Sequence, residues 1–147
     1  MCSLKIRDIS HDKKTLSLSG SNTKNGRDAV VTIPKHVVDL MEELGIFRKS
    51  QNFYIFGNDF RPGIEPIKPK IFSTYWDKNV RKALNLSASY KFYSLKDTGI
   101  TNMIKSKTDL LSVRDQARHS SVDVTNVYTP QDCKEANSAL IDYEGVF

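Results

Sequence analysis

The chain has 147 residues, 39% of them hydrophobic and 27% charged. This suits one folded domain with a single core and argues against a disordered or membrane chain. No apolar run approaches the ~20 residues of a membrane helix, and Met1-Cys2-Ser3-Leu4 does not open a signal peptide, so a cytoplasmic location is expected. Cys2 and Cys133 lie near opposite ends without a neighbouring cysteine, which argues against a metal or redox motif and a disulfide framework. The net charge of +5 favours a polyanionic partner through counterion release, or equally describes a solvated mixed-charge surface; charge alone does not choose.

In chain order, Leu4-Lys5-Ile6 alternates into Ile9, Leu16-Ser17-Leu18 repeats the alternation, and Val30 to Ile33 closes the set. Turn residues at 11–14 and a polar loop over 20–28 separate these runs, so a three-stranded antiparallel meander is expected. Pro34 opens a helix through Val37, Val38, Leu40, Met41 and Leu44, and Gly45 stops it. Residues 52–56 form a short aromatic, β-prone stretch, and the proline-rich run 61–69 predicts an extended loop. From Lys70, Phe72, Tyr75, Trp76, Val80 and Leu84 recur at helical spacing, which makes the aromatics core residues before a base-stacking platform.

The last third predicts helices over 94–106 and 109–117, the second capped by Thr108-Asp109. Ser120-Ser121 caps a short helix reaching Tyr128, and Pro130 ends it; 132–143 predicts one more helix. No internal repeat or low-complexity tract is present.

Two stretches of this helical third resemble the signature of the tyrosine site-specific recombinases of the phage integrase type. The first, Tyr93-Ser94-Leu95-Lys96-Asp97-Thr98-Gly99-Ile100-Thr101, is similar to the family's His-x-x-Arg-His-Thr helix start. The second is Arg118-His119-Ser120-Ser121 followed by Tyr128-Thr129, with His119 nine positions before Tyr128 and 23 after Lys96. The strands around Thr23-Lys24-Asn25 resemble the hairpin on which the family carries a catalytic lysine. The likeness covers nearly the whole chain. It implies an α+β catalytic domain, mainly helical, with an N-terminal three-stranded antiparallel β-meander.

The resemblance also implies a reaction. Tyr128 would attack a DNA phosphodiester, leaving a 3′-phosphotyrosine and a free 5′-hydroxyl, with cationic side chains in place of a metal and no cofactor. His119 matches the hydrogen-bond donor to the phosphate, and Lys24 the general acid for the departing 5′-oxygen. Lys96 stands where the family has its second phosphate-binding arginine, keeping the charge but losing the planar fork. Tyr93 stands where the family often has histidine, and still offers a hydroxyl donor. Arg118 occupies a position often held by glycine. Lys24, Arg27, Lys96 and Arg118 are the candidate DNA contacts.

The expected partners are double-stranded DNA and, in the full-length protein, sister protomers in a tetramer docked through 131–147, in a bacterial, nucleoid-associated setting. By the same alignment the family's first arginine falls upstream of Met1, so a piece of a longer protein is expected. Two other readings stay open: a DNA-binding or assembly domain of a degenerate recombinase that no longer cleaves, and a helix-turn-helix regulator built on 111–128.

Overall fold

A computed structural model describes residues 2–12, 14–23 and 26–129. The chain divides into two compact units, Met1–Leu95 and Lys96–Phe147.

In the first unit, strands β1 (Ile9–Ser10), β2 (Thr15–Leu18) and β3 (Ala29–Thr32) form an antiparallel sheet in chain order. Ile9 pairs with Leu16, and Leu16 with Val31. The first strand is shorter than the alternation predicts. Asp8 Oδ2 accepts the Lys5 N–H at 2.8 Å and folds Ile6–Asp8 into a 3-10 turn. Leu4 and Ile6 instead pair with the aromatic stretch: Ile6 N–H donates to Phe53 O at 3.0 Å, and Ile55 N–H to Leu4 O at 2.9 Å. Their alternation therefore marks core positions, since Ile6, Ile46 and Ile55 form the buried cluster on which Leu4, Met41 and Phe53 pack.

The β2–β3 loop is pinned at its base. Gly20 N–H donates to Asp28 Oδ1 at 2.6 Å, and any side chain at Gly20 would collide with the carbonyl of Gly26. Helix α1 (Lys35–Glu43) follows Pro34 and ends at Gly45, whose φ of +67° suits glycine. Helix α2 (Pro69–Tyr75) begins with proline in its first turn and runs through a π-helical segment, Trp76–Val80, into α3 (Arg81–Ala83).

That π segment alters the predicted apolar stripe. An extra residue per turn rotates the downstream side chains by roughly 100° about the helix axis. Trp76 is buried, with Nε1 donating to Tyr90 O at 2.8 Å, and Phe72 packs on Phe56, Phe60 and Phe92. Leu84, beyond the segment, is 61% exposed, and Tyr75 is half exposed against the edge of Phe60.

The second unit holds most of α4 (Ser94–Lys105), all of α5 (Leu110–Ala117) and α6 (Val122–Asn126). Its core is Ile100, Val113 and Ala117, with Met103, Ile104 and Tyr128 packed against them. Asp109 caps α5 by accepting the Ser112 N–H at 2.9 Å. Ser121 occupies the N-cap position of α6 but makes no side-chain capping bond. The helix expected over 132–143 and the stop at Pro130 lie outside the described residues.

Candidate active site around Tyr128

Helix α5 ends in a chain reversal that sets up the site. The Arg118 N–H donates to Asp115 O at 3.1 Å and the His119 N–H to Arg114 O at 3.0 Å, a Schellman pair that requires a left-handed residue between the helix and His119. Arg118 supplies it, with φ 57° and ψ 42°. Glycine adopts this conformation without strain, a physical reason for it at this position. The chain then enters α6, and the Tyr128 N–H closes its last turn on Thr125 O at 3.0 Å.

This path brings His119 and Tyr128 together. Their rings stack with centroids 5.9 Å apart and planes 19° from parallel. His119 Nδ1 lies 2.9 Å from the hydroxyl of Thr125, which is fully buried. Tyr128 Oη donates to Asp97 Oδ1 at 2.9 Å. Asp97 stands beside Lys96 near the start of α4, where a helix favours an acidic side chain.

Electrostatics tie His119 to Lys96 and Asp97. Burial lowers the pKa of His119 from its ordinary value, the Lys96 cation lowers it further, and Asp97 partly opposes both. The imidazole is therefore neutral near pH 7, with one N–H to donate and one lone pair to accept.

Among the predicted site residues, Lys96, His119 and Tyr128 thus come together in the second unit, with Arg118 beside His119 in the chain. Tyr93 belongs to the first unit, the residue before α4, and its ring is largely exposed. Arg27 is exposed on the β2–β3 loop. Lys24 lies outside the described residues. Asp97 and Thr125 were not legible as site residues. Asp97 reads as an acidic helix start and Thr125 as a polar position on a short helix; only the tertiary bonds of Tyr128 to Asp97 and of His119 to Thr125 reveal their contacts. Among the described residues, no group of three His, Cys, Asp or Glu side chains is placed to hold a metal ion, and no helix is long and apolar enough to cross a membrane.

The phage integrase family model matches residues 1–135. The chain belongs to the phage integrase family. Among its relatives, tyrosine recombinase XerA of Pyrococcus furiosus is 26% identical over 142 residues, which is 95% of this chain and 47% of that protein. Tyrosine recombinase XerA of Pyrococcus horikoshii is 24% identical over 140 residues, again 95% of this chain and 47% of the relative. The chain thus spans about half the length of the curated relatives it matches.

Solved structures within the family's reach share the fold. A crystal structure of XerA recombinase superimposes with a TM-score of 0.69 at 20% identity, covering 95% of this chain and 48% of that one. The Tn1549 transposon integrase, in complex with a circular intermediate DNA, superimposes with a TM-score of 0.64 at 12% identity, covering 86% and 48%. The expected α+β recombinase fold is therefore the fold of this chain.

Proposed function

We propose that this chain is the catalytic domain of a site-specific DNA recombinase or integrase that breaks and rejoins strands through a 3′-phosphotyrosine on Tyr128. The observation that carries this is the joint placement of Tyr128, His119 and Lys96 in a chain of the phage integrase family. Attack of Oη on phosphorus displaces the 5′-oxygen and keeps the bond energy in the phosphotyrosine, so rejoining needs no ATP. Negative charge grows on the non-bridging oxygens, where fixed donors and cations stabilise it most. The His119 N–H and the Lys96 ammonium would supply these, with Tyr93 as a further hydroxyl donor.

Lys24 is assigned the proton for the departing 5′-oxygen, and Arg27 and Arg118 contacts to DNA phosphates that position the duplex without reading its sequence. Duplex DNA is the proposed substrate, in line with the DNA bound to the Tn1549 relative. Assembly of the full-length protein as a tetramer on DNA, through 131–147, and residence at a bacterial nucleoid belong to the same reading.

One observation favours a second reading. Lysine at position 96 lacks the bidentate fork of arginine, as expected of a domain that binds DNA without cutting it. One experiment separates the two. The protein at its full natural length is incubated with a nicked suicide substrate, and a covalent protein–DNA adduct is sought by denaturing electrophoresis. The recombinase reading expects an adduct that vanishes in Tyr128→Phe; no adduct with cognate DNA sinks it.

A further inference from the structure

Nucleophilic attack requires Tyr128 to lose its proton, because a phenol with a pKa near 10 is only about 0.1% ionised at pH 7. The hydrogen bond from Oη to Asp97 Oδ1, at 2.9 Å, already points that proton at a carboxylate. The His119 ring lies nearly parallel to the phenol, and its Nδ1 pairs with the Thr125 hydroxyl. Lys96 is a cation with no lone pair to offer. Asp97 also follows Lys96 directly, so one turn of α4 carries both a cation suited to the phosphate and an acceptor for the nucleophile's proton.

We propose that Asp97 is the general base of strand cleavage, receiving the Tyr128 proton on its carboxylate as the tyrosine oxygen bonds to phosphorus. This rests on the reading of Tyr128 as nucleophile. In the step, the Oη–P bond forms and the P–O5′ bond breaks. The phenolic proton passes to Asp97, and the departing 5′-oxygen takes a proton from a separate acid. Rejoining runs the same steps in reverse: the 5′-hydroxyl attacks phosphorus, and protonated Asp97 returns its proton to the leaving phenolate.

Asp97→Asn tests this, because the amide oxygen still accepts a hydrogen bond from the phenol but cannot take its proton. Single-turnover cleavage of the suicide substrate is measured with the protein at its full natural length, and DNA affinity is followed by fluorescence anisotropy. Loss of a general base lowers cleavage at pH 7 by about 100-fold or more. DNA affinity is expected to stay unchanged. The variant's rate should then climb about tenfold per pH unit above neutrality, as the phenol ionises without help.

Asp97→Glu restores part of the rate, and Asp97→Ser reproduces the defect should the amide perturb folding. Cleavage by Asp97→Asn at the wild-type rate overturns the proposal and leaves Asp97 a positioning residue. Faster cleavage overturns it too, and marks the bond as a latch on the resting tyrosine. In either case the wild-type adduct and its loss in Tyr128→Phe leave the recombinase reading standing. A wild type that forms no Tyr128-dependent adduct instead brings down that reading, and this inference with it.

Discussion

The hydroxyl of Thr125 controls what His119 is able to offer. If that O–H donates to Nδ1 across 2.9 Å, the single hydrogen of the neutral imidazole sits on Nε2. Thr125→Val keeps the shape and removes this bond, and should lower thermal stability by roughly 1 to 2 kcal/mol while reducing cleavage. Thr125→Ser should retain most of the cleavage activity, which a packing role for the methyl group alone would not predict.

The charge neighbours of His119 make a separate prediction. Its NMR titration midpoint is expected below the usual value of about 6.5. Removing the Lys96 charge in Lys96→Met should raise the midpoint, and Asp97→Asn should lower it further, as the directions of the two contributions require. The folded state disfavours the imidazolium, so this group's contribution to stability is complete above the unfolded pKa and is lost as pH falls through the folded one. Reversed shifts in the two variants would show that Lys96 and Asp97 are not the groups the imidazole senses.

At the scale of elements, the ends of three helices share a device that sequence reading missed. Helices α3, α4 and α5 close with paired bonds around Asn85, Lys107 and Arg118, all at positive φ. In each place the usual signal, glycine, is absent. The helix starts were easier to read: Asp109 caps α5 as its residue type suggests, and α2 begins one residue before the expected start at Lys70, with Pro69 of the proline-rich run as its first residue. The π segment at Trp76–Val80 had no signature at all, since its backbone bonds leave no mark in residue type.

Two measurements test these caps. Lys107→Gly relieves a left-handed lysine and, after the extra chain entropy of glycine, should stabilise by roughly 0.5 kcal/mol in thermal or denaturant unfolding. Asp109→Ala should lower the melting temperature by roughly 2 to 5 °C. Hydrogen bonds from Ser112 hold the Asp109 carboxyl below its ordinary pKa. The contribution of that cap is therefore present above the usual carboxylate range and lost as pH falls through the folded value. A melting temperature of Asp109→Ala unchanged at pH 7 would show that this cap contributes nothing to stability.

For the whole molecule, the family and its fold were legible in two motifs whose joint spacing carried more than any single residue. The limits lay in tertiary packing: the first strand shortened because a local carboxylate captured a backbone N–H, and a partner of Tyr128 was a residue 31 positions away. The net charge of +5 becomes informative only beside the fold. If duplex DNA is the substrate, affinity should fall steeply with salt, and Arg118→Ala should flatten the log–log slope by about one if that side chain meets a phosphate. An unchanged slope would free Arg118 of that role.

Helix α6 has only five residues, far too few to hold itself together in water. Its anchors are the Tyr128 ring in the α4–α5 core and the bond between Thr125 and His119. The proposed nucleophile is thus also a tether for the segment that carries it. Amides of α6 should exchange with solvent faster than those of α5, through local openings that leave the core folded. If Tyr128 is the nucleophile, then once its ring is tied to a phosphate the position of the DNA and the persistence of this short helix would become one equilibrium, and strand exchange would gain a hinge at the residue that holds the cut end.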